Sequence, residues 1–445
     1  MKQWLWLCLI LLLVRGSADG QTPPAAEAAV TSFSLEEYVQ AVLASNPDLR
    51  AQRANVTIAQ AQVDIAKIVP DPSLSVGSPQ YDISNGQVQN EFSASVSGTL
   101  ELGGKRGARV GLAKANARAA SADLDNAIRE LRAEAGNAYV DALLARLVLE
   151  RKRKTLESLE KLVAANQARL TAGDIAEVVV LQSRVQAQQF RGEVASAEAD
   201  VRTADLAMLA LLGRGGQLAA SAPLVLTSDL HFDVQPTAEP VLIDRALALR
   251  PDLLAASRRL DASDQQLRLT KADRVIDVSP SLGWTHVYAT TGPNGLPTAD
   301  FLVFGVGVPL PFSRVHTGDL AAARAGQEQA RANSTSTKVR VEIDVRQALA
   351  RHDAASRQVT VYESGTLADA DQVFEKTLYS FQRGAATIVE VLIAQQTDDE
   401  VYISYYGALA ERARALISLR EAVGSDDWPR ESPDGGPRPE GSTTR

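Results

Sequence analysis

The sequence has 445 residues with a formal net charge of −8, so it lacks the basic field that nucleic-acid binding requires. Cys8 is the only cysteine, which excludes disulfides and a thiolate metal site. Aromatic residues make up only 5%, and small and aliphatic residues dominate the middle of the chain, a composition typical of long helices. The length suits two or three ordinary domains or one elongated domain.

Residues 1–18 are predicted to form a secretory signal peptide. Lys2 precedes the apolar run LWLCLILLLV, and Gly16-Ser17-Ala18 supplies small residues before a cleavage site. Cys8 lies inside the apolar run rather than after the cleavage site, so we expect no lipid anchor. Because no later stretch has about 18 consecutive apolar residues, a membrane crossing by this exported chain is expected to use strands.

The first half of the chain begins with a helical pattern after a spacer at residues 19–33. Ser34 is predicted to cap this helix, which continues to about Ile68 with a break at Asn46-Pro47. Two prolines in residues 69–72 end the helix. A strand at about 73–78 and a polar loop at 78–90 are expected to follow.

The stretch at residues 91–102, EFSASVSGTLEL, alternates strictly between apolar and polar residues. This pattern predicts a strand with one dry and one wet face. The edge of a soluble sheet shows the same alternation. The long helices on both sides, the leader and a second copy of the arrangement favour a strand of a membrane barrel.

A helical pattern then runs from the turn at 103–107 to about Leu170. About 65 residues at 1.5 Å each would span about 100 Å, far more than an ordinary globular helix. A tight reversal is predicted at 171–174, and the returning helix carries a coiled-coil seam through Val178, Leu181 and Val185.

The second half repeats this pattern. The Pro-Asp-Leu motif at Pro47 returns at Pro251, Gly173 returns at Gly384 and Gly213 returns at Gly424, so the offset grows only from 204 to 211. This periodicity indicates a tandem duplication. The division that follows is a first repeat at 34–213, a linker at 214–240, a second repeat at 241–424 with strands at about 281–288 and 300–312 and a tip turn at 383–386, and a disordered tail at 425–445.

Each half offers two strands, and four strands cannot close a barrel. Two chains would give eight strands, whose interior side chains nearly fill the barrel, whereas three chains would give twelve and an open lumen. The sequence therefore predicts a mainly α fold with membrane β-structure. Long coiled-coil hairpins would extend the barrel of a trimeric duct.

The chain resembles the TolC family of outer-membrane efflux ducts over essentially its whole mature length. The resemblance is carried by the N-terminal LEEYVQAVLASNPDLRAQR, the two tip motifs RLTAGDIAEVVVLQSR and YSFQRGAATIVEVLIAQQ, and the duplication. The segment LELGGKRGARV is similar to the cation-efflux branch of CzcC-like and CusC-like ducts. The resemblance implies a homotrimer with a twelve-stranded barrel in outer-membrane lipid and a periplasmic helical tunnel. It also implies a periplasmic adaptor and an inner-membrane pump of the resistance-nodulation-division class.

We expect the tip turns to dock the adaptor, through Gly173 and Asp174 in the first half and Gly384 and Ala385 in the second. Aligned on Gly384, one acidic position of the family's gate falls on Glu390, which three chains would arrange as a ring that favours cations. The gate arginine falls on Ala386, and its other aspartates fall on Ile393 and, in the first half, on Val179. The alternative for Glu390 is a solvated surface carboxylate.

Four aromatic residues, Phe92, Trp284, Tyr288 and Phe301, are predicted to lie at the membrane interfaces. The alternative is packing between strands. The four histidines show no metal-ligand spacing, and the Gly-Gly-Lys-Arg segment at 103–106 lacks the Ser or Thr of a phosphate loop. We therefore expect no enzyme activity, no cofactor and no metal site on this chain. The competing interpretations are a duct for drugs or for type I secretion, and a periplasmic adaptor or scaffold.

Overall fold

The computed structural model describes residues 32–77, 80–82, 87–89, 91–214, 224–230, 238–289, 297–310 and 317–424. The expected signal peptide and C-terminal tail lie outside these residues. The α-helices are α1 (Leu35–Ser45), α2 (Pro47–Ala66), α3 (Lys105–Ala172), α4 (Glu177–Leu211), α5 (Glu239–Leu249), α6 (Pro251–Ala272), α7 (Thr317–Val361), α8 (Leu367–Gln382) and α9 (Ile388–Val423). The strands are β1 (Ser32–Phe33), β2 (Ser73–Gly77), β3 (Gln80–Asp82), β4 (Gln87–Gln89), β5 (Glu91–Ser97), β6 (Val225–Leu226), β7 (Ser279–Val287) and β8 (Ala299–Gly307). In the described ranges, no helix combines the length and apolar character of a membrane span.

The first helix begins and breaks where its capping residues lie. The Ser34 hydroxyl accepts a hydrogen bond from the Glu37 amide, and the Glu37 carboxylate accepts one from the Ser34 amide, which completes a capping box. At the break between α1 and α2, Asn46 accepts from the Leu49 amide at 3.0 Å and donates to the Leu211 carbonyl at 2.9 Å. Asn46 therefore joins the start of α2 to the end of α4.

The second half repeats this joint with different chemistry. Arg250, at the break between α5 and α6, donates to the Ala422 carbonyl near the end of α9 at 3.3 Å. Gly213, just after α4, and Gly424, just after α9, both have positive φ. A Cβ on either glycine would crowd the joint. The duplication is thus visible as an equivalent contact in each half.

The long helix α3 is the central column of the structure. It packs against α2 and α4 on one side and against α6 and α9 on the other, and α7 covers α6 and α9. α2 lies along the start of α3, where Arg109 donates to the Ala66 carbonyl, and α4 lies farther along, where Arg146 pairs with Asp205 at 2.6 Å. Helices α2 and α4 therefore form the outer helical column on one side of the chain. Helices α7 and α8 form the outer column on the other side.

The main core lies where these columns meet the short helix α1. Tyr38, Tyr139 and Met208 are fully buried there, and the Tyr38 hydroxyl donates to the Met208 carbonyl at 3.0 Å. The short parallel pair of β1 and β6 covers this core, with Thr227 donating to the Phe33 carbonyl. Part of the expected linker therefore packs against the helices.

The second half departs from the expected continuous helix. A π-helical turn at Tyr362–Thr366 separates α7 from α8, and Gly365 in it has a φ of 152°. A residue with a side chain rarely adopts this backbone conformation, so the break depends on glycine. The expectation of one very long helix is correct for α3 and wrong for the second half.

The coiled-coil seam of α4 also differs from the expected one. Val178, Leu181 and Val185 are 55%, 46% and 57% exposed, so they do not form the packing seam within the chain. The buried residues are offset by two positions and begin with Val180 and Ser183. Helix α4 thus carries two apolar stripes, and the sequence pattern identified the outer one.

The four longer strands form an antiparallel sheet in the order β2-β5-β7-β8. β5 ends at Ser97 instead of 102, because the next partner is Pro280, which accepts from the Gly98 amide but has no amide to return. A single bridge follows between Leu100 and Val278. β8 ends at Gly307, two residues before Pro309, so the expected strand to 312 was too long. The expected polar loop at 78–90 contains a further antiparallel pair, β3 with β4.

Candidate functional site: the two ends of the helical columns

One face of the sheet is apolar and exposed. The strand registers place Leu74, Val96, Leu282 and Phe304 in one row across all four strands. These side chains are 69%, 49%, 49% and 75% exposed. A continuous apolar face of this kind indicates a surface that contacts lipid or another protein.

The other face carries mostly small and polar residues, with Phe301 and Val303 of β8 as the large apolar exceptions. Ser73, Ser97, Ser281 and Gly305 form one row in register, and the hydroxyls of Ser73 and Ser97 lie 2.8 Å apart. A Cβ on Gly305 would meet the Ser281 hydroxyl at 2.5 Å, so this row is close-packed. The sheet therefore separates an apolar side from a side that is compatible with water.

The structure brings together three of the four aromatic residues selected from the sequence. Phe92 and Trp284 have ring centroids 6.0 Å apart, and His286 lies between Trp284 and Tyr288 at 5.8 and 4.4 Å. All lie on the apolar face, at the end of the sheet away from the helices. Phe301 pairs in register with Thr285, one position out of phase, and so lies on the opposite face.

A dense polar junction joins the sheet to the helices. Gly103 and Gly104, both with positive φ, turn the chain from β5 into α3. Arg109 then binds Glu101 through two nitrogens, at 2.6 and 3.1 Å, and also donates to carbonyls at the end of α2. Lys105 pairs with Asp277 at 2.7 Å, which ties the junction to the second half. The segment LELGGKRGARV thus has a structural role in the turn from strand to helix.

The opposite end of the columns consists of two matching turns. Gly173 follows α3 with a φ of 85°, and Asp174 donates to the Arg169 carbonyl at 2.9 Å. Gly384 follows α8 with a φ of 77°, and Ala385 donates to the Ser380 carbonyl at 2.8 Å. Both turns use the hydrogen bond of a Schellman motif, and a Cβ on either glycine would meet open space.

Glu390 lies one turn beyond the second reversal and has a local structural role. Thr387 and Glu390 form a capping box at the start of α9, in which the Thr387 amide donates to Glu390 Oε2 at 2.6 Å. The hydrogen bonds from Thr387 lower the pKa of the exposed Glu390 carboxyl. The spacing Thr-x-x-Glu is a capping signature that the sequence interpretation overlooked. The corresponding cap in the first half, Ala176, offers no side-chain bond.

Comparison with known proteins decides what this arrangement is. A profile of the outer membrane efflux protein family matches residues 38–214 and 242–425. The chain belongs to this family. The resemblance stated from the sequence is confirmed, and the protein is an outer-membrane efflux channel with a long periplasmic helical portion. Members of the family are passive conduits rather than enzymes.

Individual relatives match this efflux protein over most of its length. The cobalt-zinc-cadmium resistance protein CzcC of Cupriavidus metallidurans is 23% identical over 393 residues, covering 88% of this chain and 90% of the relative. The pyoverdine export outer membrane protein OpmQ of Pseudomonas aeruginosa is also 23% identical, over 413 residues that cover 88% and 85%. A crystal structure of CusC superposes with a TM-score of 0.72 at 20% identity, covering 88% and 92%, and confirms the fold.

The efflux protein also contains a buried charged network that sequence reasoning missed. Arg151 on α3 binds Asp398 and Asp399 on α9, and both aspartates are about 5% exposed or less. The adjacent acids in TDDE of α9 were an available signal, because they fall in line with the buried residues Ala394 and Gln395. When the helical pattern of α9 is considered alone, a run of charged residues such as TDDE is assigned to the solvated face.

An acidic groove runs between α3 and α4 near the core. Its volume is about 920 Å³, and its lining includes Glu130, Glu134, Asp141, Asp200 and Glu421. Three of these acids are already paired, Asp141 with Arg414, and both Glu130 and Glu421 with Arg129. Within the described ranges, no three His, Cys, Asp or Glu residues are grouped as metal ligands.

Proposed function

We propose that this efflux protein is a homotrimeric exit duct. The observation that carries the proposal is the pairing of the two outer strands: among the described residues, β2 pairs only with β5, and β8 only with β7. Unpaired strand edges are costly in a membrane, and four strands cannot close on themselves. Pairing β8 of one chain with β2 of the next in a threefold ring closes twelve strands.

The helical columns support the same ring. The outer stripe of α4, through Val178, Leu181 and Val185, lies on one side of the chain, and Val373 and Tyr379 of α8 are 53% and 58% exposed on the other. Burial of these two stripes against neighbouring copies would give each apolar stripe a partner. The edge strands β2 and β8 lie on the same two sides of the chain as the helix stripes of α4 and α8. One threefold rotation would therefore pair both the strand edges and the stripes with neighbouring copies.

The two faces of the sheet fit this assembly. The row that contains Phe304 would face lipid, and the row of serines and glycine would face the lumen. Phe92, Trp284 and Tyr288 would then lie at the outer membrane interface. Phe301 would face the lumen in this assembly instead of joining the aromatic girdle.

The partners follow from the family and from the two turns. Family members work with periplasmic adaptors and inner-membrane pumps of the resistance-nodulation-division class. The turns at Gly173-Asp174 and Gly384-Ala385 end the helical columns on the side away from the sheet. We assign adaptor docking to these turns, because they are the part of the chain that extends farthest from the membrane.

Metal cations are the proposed cargo. The support is the similarity to CzcC, a protein named for cobalt, zinc and cadmium resistance. The ring of three Glu390 carboxylates would favour cations at the narrow end. Both capping bonds use Oε2, so Oε1 is not engaged in the cap. The second candidate is export of organic compounds, favoured by the equally identical OpmQ, which is named for pyoverdine export.

The assembly is tested by the mass and location of the mature protein. We expect outer-membrane fractionation and a detergent-corrected mass of three chains of about 47.5 kDa each, less the leader. A stable monomer in mild detergent would contradict the closed ring.

The cargo is tested by deleting the gene and measuring cellular cobalt, zinc and cadmium by mass spectrometry, with complementation as the control. Metal accumulation in the deletion strain supports the proposal. Unchanged metal content together with increased sensitivity to organic toxicants would select the second candidate.

A further inference from the structure

The α8–α9 hairpin is attached to the rest of the chain in two different ways. At the start of the hairpin, α8 follows the π-helical turn, in which Gly365 leaves the helical conformation. Along its length, α9 packs against α3 of the first half. Because the helix is interrupted at Gly365, this packed face is the contact that fixes the hairpin against the first half of the chain.

The centre of that face is polar and buried. The Arg151 side chain donates to Asp399 Oδ1 at 3.1 Å through Nε and to Asp398 through Nη2. Thr155, one turn farther along α3, donates to the same Asp399 oxygen at 2.7 Å. Asp399 thus accepts hydrogen bonds from two side chains, Arg151 and Thr155. Asp398 accepts from Arg151 alone, and it shares that guanidinium with Asp399.

A third carboxylate joins from α8. Tyr402 on α9 donates its hydroxyl to Asp371 at 3.0 Å, and the Arg151 guanidinium lies over the Tyr402 ring, 4.0 Å from its centroid. Burial raises the pKa of Tyr402, so its hydroxyl stays a donor. The network therefore spans three helices, α3, α8 and α9.

Three carboxylates face one guanidinium here. The nearby charges on α3, Glu150 and Lys154, pair with each other at 2.9 Å and leave this balance unchanged. Asp398 Oδ1 is inaccessible to solvent and has no hydrogen-bond partner. An oxygen in that position has a high desolvation cost when it is charged and a lower cost when it carries a proton.

We propose that Asp398 is a proton-binding site that controls how tightly the α8–α9 hairpin packs against α3. Burial, followed by the charges of Asp371 and Asp399, raises the pKa of Asp398 against the opposing effect of Arg151. The packed state therefore holds the proton more firmly than an opened state does. Packing is tightest below the ordinary Asp pKa and weakens as pH rises through the raised value. The inference concerns contacts within one chain and holds for any cargo.

Labelling of a buried thiol tests this proposal. Ala394 lies one turn before Asp398 on the same face of α9 and is 6% exposed. In purified trimers with Ala394→Cys, maleimide labelling reports opening of this face. Dividing the rate by that of the same protein with Asp398→Asn, at each pH, cancels the pH dependence of the thiol. We expect this ratio to rise by up to about tenfold per pH unit between the ordinary and raised pKa, and then to level off.

Three further variants separate titration of Asp398 from a packing effect. Asp398→Glu keeps an ionisable group and should retain the rise of the ratio. Asp399→Asn removes a repelling charge and should move the plateau to lower pH. Glu400→Gln alters an exposed carboxylate on the same helix and should match the parent protein. A ratio that stays constant from pH 4 to pH 8, or a Glu400→Gln variant that mimics Asp398→Asn, would overturn the proposal.

Discussion

The junction between sheet and helices offers a pair of glycines that differ in one physical respect. Gly103 and Gly104 have nearly equal positive φ values of 70° and 73°. A Cβ on Gly103 would lie 2.5 Å from Val275 Cγ2, whereas a Cβ on Gly104 would have no neighbour within 4 Å. Gly103→Ala therefore adds a clash to the backbone strain, and Gly104→Ala adds the strain alone.

The two costs can be assigned from this geometry. A left-handed alanine costs about 1–2 kcal/mol, and overpacking a formed site costs about 1–3 kcal/mol more. We expect Gly104→Ala to lose about 1–2 kcal/mol per chain and Gly103→Ala about 2–5 kcal/mol. With an unfolding entropy of about 2 cal/mol/K per residue, each kcal/mol lowers Tm by about 1 °C in a chain of this size.

Differential scanning calorimetry of trimers in one detergent measures this difference. The decisive control is the double variant Gly103→Ala with Val275→Ala, which removes the two clashing Cγ atoms and keeps the Val275 Cβ, 2.6 Å from the added Cβ. It should recover part of the loss, so that the two changes are not additive. Equal Tm values for the two single alanine variants, or no recovery in the double variant, would refute the steric argument.

Three further predictions concern the opposite end of the columns. Valine at Gly173 or Gly384 should lower metal tolerance, because it strains the turn assigned to adaptor docking. The mass of three chains should be retained, because the strain is confined to a turn with open space around it. Normal export by both variants would contradict the assignment of docking to these turns. Glu390→Gln should reduce cation selectivity in single-channel recordings, and unchanged reversal potentials would leave Glu390 with its capping role alone. The pKa of Glu390 is lowered in the folded state. Its contribution to stability is therefore present above the ordinary Glu pKa and is lost as pH falls through the lowered pKa. The Tm difference between the parent protein and Glu390→Gln should accordingly shrink in acid.

The sequence predicted the parts of the fold that local rules determine. Helix starts at Ser34, the break at Asn46-Pro47 and the glycine turns all follow from capping and backbone preferences that need no tertiary contact. The π-helical turn was missed because the helical periodicity continues on both sides of Gly365. A single glycine inside a helical pattern is a weak signal of a break.

The errors at the candidate site arose from neighbours that lie far away in the chain. The end of β5 depends on Pro280, more than 180 positions later, and alternation in residues 91–102 contains no information about it. The burial of Asp398 likewise depends on Arg151 of the other half. Val178 was assigned to the packing seam because its stripe is as apolar as the buried one, and only the position of α3 distinguishes them.

The order of the sheet has a consequence for how this protein reaches its native state. The outer pairs, β2 with β5 and β7 with β8, are hairpins whose partners are close in sequence, whereas the central pair joins Ser97 to Ser281. Closing a loop of that length costs chain entropy before any strand contact compensates for it. We therefore expect the two hairpins to form independently and to wait, with exposed edges, until the helices bring the halves together. Until that step, the exposed edges are templates for pairing with other chains, so we expect premature association to compete with assembly.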